Sequence, residues 1–262
     1  MACDIDRNAR KMYAHNYNME PLSDIKSIDA SQIEPYDLLC AGFPCQAFSS
    51  MGKKLGFADP ASGDLFMEIM RFVAANRPPM VLLENVYALL THDRGVTFET
   101  IKSLLRGEGY VVHHCVAMLS DFGIPQMRKR VFVIAVRESM GVSTAQLERF
   151  FDWEEFKHVV TLSEFFQADF ERVFARTIRR SGRYSKIGDE HNWSQFIRNG
   201  EVYTLSIEDV CRLQAIPEIK LTGSETQQWF LIGNTIPGTF TRMLGIRLKE
   251  LWSELSVVRG EG

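Results

Sequence analysis

Two side chains in this sequence have a setting suited to making and breaking covalent bonds. Cys45 stands in the run Gly42-Phe43-Pro44-Cys45-Gln46, behind a short apolar segment and ahead of polar, glycine-bearing sequence. Gln46, Ser49, Ser50, Lys53 and Lys54 then mark residues 47–63 as an exposed loop with cations suited to phosphate. A thiol in such a place is a candidate nucleophile, the thiolate being its reactive form. Cys3, Cys40, Cys115 and Cys211 lack that context and read as small buried hydrophobes. Glu84 ends a second apolar run, 80–83, and by itself reads as a capping acid or a surface carboxylate. A third feature is charge. Residues 176–186 carry Arg176, Arg179, Arg180, Arg183 and Lys186 with no acid between them, which reads either as a solvated basic loop or as a phosphate-binding stretch.

These residues need elements to position them. Residues 6–17 have helical character, and 37–41 and 80–83 are short apolar runs of the kind that form buried strands. Between them, 64–76 places Leu65, Phe66, Ile69, Phe72 and Val73 on one helical face. A helix over 98–105 ends near Gly107 and Gly109, and strands follow at 110–118 and 131–136. This alternation predicts an α/β fold with a doubly wound, mostly parallel sheet. Functional residues of such sheets gather at the carboxyl ends of strands. Cys45 lies just past one such end, and Glu84 sits at another. The rhythm stops after Arg137, and the residues that follow predict a smaller lobe whose core includes aromatics such as Tyr184, Trp193 and Phe196. Ser206 is an expected N-cap for a helix over 207–214, and Pro237 suits a helix's first turn. The expected domains are therefore 1–138, a lobe over 139–221, and a return to the main domain over 222–262.

Composition narrows the class. With 262 residues, 45% hydrophobic and 24% charged, the sequence has the make-up of an ordinary soluble globular protein. Its apolar runs are too short to span a bilayer, and no basic start leads into an apolar stretch as in a secretion signal. Five cysteines without a Cys-x-x-Cys pair argue against disulfides and a metal site and for a reducing, cytoplasmic setting. The net charge of −3 gives no global attraction to nucleic acid, so any such binding rests on how charge is distributed.

Four short motifs stand in one order: Gly-Phe-Pro-Cys-Gln-x-Phe-Ser from Gly42, then Glu84-Asn85-Val86, Gln126-Met127-Arg128-Lys129-Arg130, and Gly233-Asn234-Thr235. Asp121-Phe122-Gly123-Ile124-Pro125 leads into the third, and Arg212-Leu213-Gln214 precedes the fourth. In this collinear set the sequence resembles the C5-cytosine DNA methyltransferases of bacterial and phage restriction–modification systems, everywhere except over 139–203. The resemblance implies a flipped-out cytosine in duplex DNA as substrate and S-adenosylmethionine as methyl donor. It implies that Cys45 adds to carbon 6 of the base, that Glu84 supplies a proton at ring nitrogen 3, and that Arg128 and Arg130 sit near base and thiol, Arg130 facing the cytosine carbonyl oxygen. It further implies a donor pocket from Asp4 at the ribose, Ile5 against the adenine, Asp24 and Ile25 at its edge, and Pro44 and Asn234 near the methionine end. DNA contacts are expected from Gln46, Ser49, Lys53, Arg179, Arg180, Arg183 and Lys186. A monomer is expected, with a cognate restriction endonuclease as companion.

The family opens with an earlier strand and a Phe-x-Gly-x-Gly loop, whereas this sequence opens at Met1-Ala2-Cys3-Asp4, inside the next strand of that pattern. No such loop follows Gly233-Asn234, which argues against circular permutation. A misassigned start, a fragment and one half of a split enzyme are the expectations this leaves open, with weak donor binding by the chain alone. Two other readings stay in play. One is a DNA-binding or partner subunit that keeps the fold without turnover. The other is an RNA-methylating relative, against which stands the lack of a Cys-Phe-Thr run.

Overall fold

The computed structural model describes residues 1–43, 63–179 and 185–258. In chain order the helices and strands are α1 (Arg7–Tyr17), β1 (Leu38–Gly42), α2 (Gly63–Asn76), β2 (Met80–Val86), α3 (Val96–Gly107), β3 (Tyr110–Met118), β4 (Gln126–Met127), β5 (Lys129–Arg137), α4 (Thr144–Phe150), α5 (Leu162–Phe166), β6 (Ala175–Arg176), β7 (Gln195–Arg198), β8 (Glu201–Thr204), α6 (Ile207–Leu213), α7 (Glu225–Gly233) and α8 (Gly238–Val258). They form two compact units. One comprises Met1–Ile25, Met118–Arg128 and Glu154–Gly245; the other comprises Lys26–Ala117, Lys129–Trp153 and Ile246–Gly262. The segment 139–221 thus divides between them, its first fifteen or so residues belonging with the main sheet.

The second unit is the α/β sheet, in the order β1-β2-β5-β3. β1 and β2 run parallel, Leu38 against Met80 through Gly42 against Glu84. β5 returns antiparallel to β2, with Glu84 opposite Phe132 and Val86 opposite Arg130. Hydrogen bonds from Glu138 N to Gly109 O (2.9 Å) and from Leu119 N to Arg128 O (2.9 Å) bracket β3 and β5 as a second antiparallel pair. β3 therefore points the same way as β1 and β2, and β5 alone is reversed. Burial explains why the sheet is covered on both faces. Along β5, Val131 to Val136 are all at most 2% exposed, so successive side chains enter apolar surroundings on opposite sides. On one side Val131, Val133 and Ala135 join Phe66 and Val73 of α2 and Ile101 and Leu105 of α3. Each of the larger of these side chains contributes about 1.5–3 kcal/mol by leaving water.

Two local expectations change. β2 does not stop at Glu84 but runs on through Asn85 and Val86, because β5 continues to pair with it there. Cys40 is exposed on the edge strand β1 rather than buried, although Cys211 is buried as expected.

In the first unit, Asp6 caps α1 by accepting from the N–H groups of Asn8 and Ala9. Ser206 and Asp209 form a capping box at α6, as the sequence suggests. Ser224 and Gln227 do the same at α7. Trp193 and Phe196, at 1% and 2% exposure, pack with Val210, Leu213, Trp229 and Ile232 into this unit's core. Tyr184 lies outside the described residues. The β7–β8 hairpin turns through Asn199 and Gly200, whose φ values of 51° and 79° are those a tight primed turn requires.

Candidate active site

Within the sheet unit, β1 delivers the chain to the edge of the expected site. Gly42 is the last residue of β1 and lies beside Glu84. The next residue, Phe43, is 7% exposed, with its ring 5.3 Å from that of Phe66. Its carbonyl accepts a hydrogen bond from Asn85 Nδ2 at 3.2 Å, and Asn85 is itself buried. The backbone two residues ahead of Cys45 is thereby fixed to the strand that carries Glu84. Cys45 itself, with Pro44, Gln46, Ser49 and Lys53, lies outside the described residues.

Glu84 projects from β2 towards Arg130 on β5, and Arg130 Nε lies 2.9 Å from Glu84 Oε1. The two side chains are only 20% and 13% exposed respectively. Partly shielded from water, a charge-assisted bond of this kind is stronger and more directional than a surface ion pair. Arg130 Nη1 also donates to the Lys129 carbonyl at 2.9 Å, which restrains the guanidinium. The other carboxylate oxygen, Oε2, would lie 3.4 Å from a Cβ placed on Gly42, so a glycine there leaves room on the side from which the chain proceeds to Cys45. A carboxylate held by one oxygen, with the other turned towards the end of β1, is suited to proton transfer at a bound ring.

Arg128 belongs to the other unit. It is 2% exposed, and it donates to the carbonyls of Ile178 (3.1 Å) and Thr235 (2.9 Å). Its guanidinium thus ties the Gln-Met-Arg-Lys-Arg run to the Gly233-Asn234-Thr235 turn. Asn234 is the exposed C-cap of α7. Two residues whose sequence context suggests no role do similar work. Gln126, fully buried, accepts from Ile178 N at 3.1 Å and donates to Gln214 Oε1 at 3.3 Å. Gln214, also fully buried, donates to Ile232 O at 3.0 Å. The available signal was position: each glutamine sits at the end of a collinear motif, where a merely solvated residue has no reason to be.

The expected donor residues come together in pairs. Asp4 N donates to Leu22 O at 3.0 Å and Leu22 N to Ala2 O at 2.8 Å, which sets Asp4 and Ile5 alongside the segment leading to Asp24 and Ile25. Burial raises the Cys3 thiol pKa, and the nearby Asp4 and Asp24 carboxylates push it further in the same direction. Ile5 is 78% exposed. Of the basic stretch, Arg179 Nη2 donates to His191 O at 2.9 Å and Lys186 is exposed. Arg180 and Arg183 lie outside the described residues.

Residues 1–172 match the family model of the C-5 cytosine-specific DNA methylase. The chain belongs to this family. The type II methyltransferase M.DsaV of Dactylococcopsis salina is 30% identical over 275 residues, covering 94% of this chain and 78% of that one. M.MspI of Moraxella sp is 45% identical over 132 residues, covering 50% of this chain and 32% of that enzyme. The chain spans about a third of the length of the curated relatives it matches at that level of identity. The solved structure of the Entamoeba histolytica methyltransferase EhMeth superposes with a TM-score of 0.67 at 16% identity, covering 97% of this chain and 90% of that one. That likeness assigns the methylase α/β fold. Among the described residues no helix is long and apolar enough to cross a membrane.

Proposed function

We propose that the chain methylates carbon 5 of cytosine in a specific duplex DNA sequence, through a covalent bond between Cys45 and carbon 6 of the base. The observation that carries this reading is the Glu84–Arg130 pair at 2.9 Å, beside the strand end that leads into Cys45. Carbon 5 of cytosine is too poor a nucleophile to take a methyl group unaided. Addition of the Cys45 thiolate at carbon 6 breaks the ring's aromaticity and makes carbon 5 enamine-like. A free thiol has a pKa of about 8.5, so a neighbouring cation assists by favouring the thiolate. Glu84, oriented by Arg130 through one oxygen, takes up a proton from solvent on the other and passes it to ring nitrogen 3 as the electrons move. Once carbon 5 carries the methyl group, Glu84 takes back the proton from ring nitrogen 3, and transfer of the carbon 5 proton to a base expels the thiolate and restores the ring. The target must leave the base stack for any of this to happen. Residues 139–221 are the proposed reader of the flanking sequence, with Arg179, Arg180, Arg183 and Lys186 as contacts, and with Gln46, Ser49 and Lys53 closing from the loop after Cys45.

The residues present suit S-adenosylmethionine. Exposed Ile5 offers an aliphatic surface for a purine ring, with the Asp4 and Asp24 carboxylates close by for ribose hydroxyls and the ring's edge. Ile25, Pro44 and Asn234 complete the proposed lining. When bound, S-adenosylmethionine supplies the electrophilic methyl group that carbon 5 takes. A monomer in the bacterial cytoplasm, paired with a restriction endonuclease, is the setting we propose from the type II relatives.

The test is transfer of a tritiated methyl group from labelled donor to duplex DNA and, in parallel, to tRNA, with the product base identified. Label in 5-methylcytosine of the duplex, absent with Cys45→Ser, is expected. Label confined to tRNA, or retained at full level by Cys45→Ser, contradicts the reading.

A further inference from the structure

Arg128, Lys129 and Arg130 are three cations in a row, and the structure disposes of two of them. Arg130 is ion-paired with Glu84, and Arg128 is buried against two main-chain carbonyls. Lys129 is different. Its Nζ lies 3.6 Å from the ring centroid of Tyr87, well inside cation–π range. Among the described residues, no carboxylate pairs with it and Nζ donates no hydrogen bond. Lys102 shows the contrast: its Nζ is 5.1 Å from the Phe98 centroid, and it is also paired with Glu99 at 2.7 Å. A ring face holds an ammonium in place without cancelling its charge.

The location gives that charge a use. Lys129 is the first residue of β5, and Tyr87 directly follows the end of β2, where Val86 stands opposite Arg130. Side chains alternate along a strand, so Lys129 and Arg130 leave β5 on opposite faces. Lys129 therefore stays out of the space around Glu84 and stands at the rim of the sheet, against Tyr87, a residue 39% exposed. A net charge of −3 gives the chain no general attraction to DNA, so grip must come from placed cations such as this one. A lysine ordinarily gives up much side-chain freedom when it binds, and the half-buried setting of Lys129 on the ring has already removed part of it.

We propose that Lys129, held by Tyr87, binds a backbone phosphate of the DNA and so positions the duplex at the Glu84–Arg130 site. This rests on the function proposed above. The experiment measures duplex binding by the 262-residue chain across a range of salt concentrations, for the wild type, Lys129→Gln and Lys129→Arg. Each lost phosphate contact lowers the slope of log affinity against log salt by about 0.9. Lys129→Gln is expected to lose about that much, on cognate and unrelated duplexes alike, and Lys129→Arg to regain it. An unchanged slope in Lys129→Gln, with the wild type binding normally, overturns this inference and leaves the proposed function standing. Failure of the wild type to bind any duplex overturns both.

Discussion

At the residue scale, the proposed chemistry divides among a thiol, a carboxylate and a guanidinium. Burial pushes the Cys115 thiol up to about 12, against smaller lowering effects from the Trp153 side chain and the Phe132 backbone. Burial likewise pushes Cys211 up to about 11, with the Glu208 charge adding to it. A raised thiol pKa means a bound proton at neutral pH, so neither offers useful thiolate below about pH 9. Iodoacetamide at pH 7.5, with modified peptides mapped by mass spectrometry, is expected to label Cys45 first and to leave Cys115 and Cys211 intact until the chain is unfolded. Early labelling of Cys115 would contradict this assignment. The Glu84–Arg130 bond makes a second prediction. Glu84→Gln removes the proposed proton donor and should lower methyl transfer by about 10²–10⁴-fold. Arg130→Met should cause a comparable fall by releasing the carboxylate, and the double variant should be little worse than either single one. Falls that simply multiply would show that the two residues act independently.

At the element scale, much of the positioning machinery was legible because it is local. The strand over 110–118 appears as β3 with the same bounds, and Ser206 caps α6 where the sequence places it. Its capping box predicts that Ser206→Ala lowers unfolding free energy by about 0.5–2 kcal/mol, read as a shift of the urea midpoint at constant slope. The hairpin predicts a cost of about 1–2 kcal/mol for Gly200→Ala, because φ of 79° disfavours any Cβ even where the space is open. What stayed illegible is non-local. Glu84 reads as the end of a strand because a charge breaks an apolar run, and nothing nearby in sequence reveals that Arg130, forty-six positions on, supplies the countercharge. Arg128 and Arg130 look equivalent in the motif, yet one is spent on main-chain carbonyls and the other on a carboxylate. Their partners lie on other elements, which periodicity cannot see.

At the scale of the whole molecule, the sequence motifs act as joints between distant stretches of chain. Gln126, Ile178, Gln214 and Ile232 form one buried hydrogen-bonded chain, and Arg128 joins Ile178 to Thr235. Leaving a buried polar group without its partner costs about 1–3 kcal/mol. Gln214→Leu should therefore destabilise the protein by that order, seen as a lowered urea midpoint, while leaving Cys45 and Glu84 chemically untouched. No loss of stability would show that this network is not the joint described. The central claim is that Cys45 adds to carbon 6 of a duplex cytosine, and it is tested most directly without any methyl donor. Reversible addition makes carbon 5 exchangeable, so a duplex carrying tritium at carbon 5 of its cytosines should release tritium into water when the protein is added. The expected result is release with the wild type and none with Cys45→Ser, which still binds the duplex. Release undiminished by Cys45→Ser, or absent from a wild type that binds the duplex, would contradict the account.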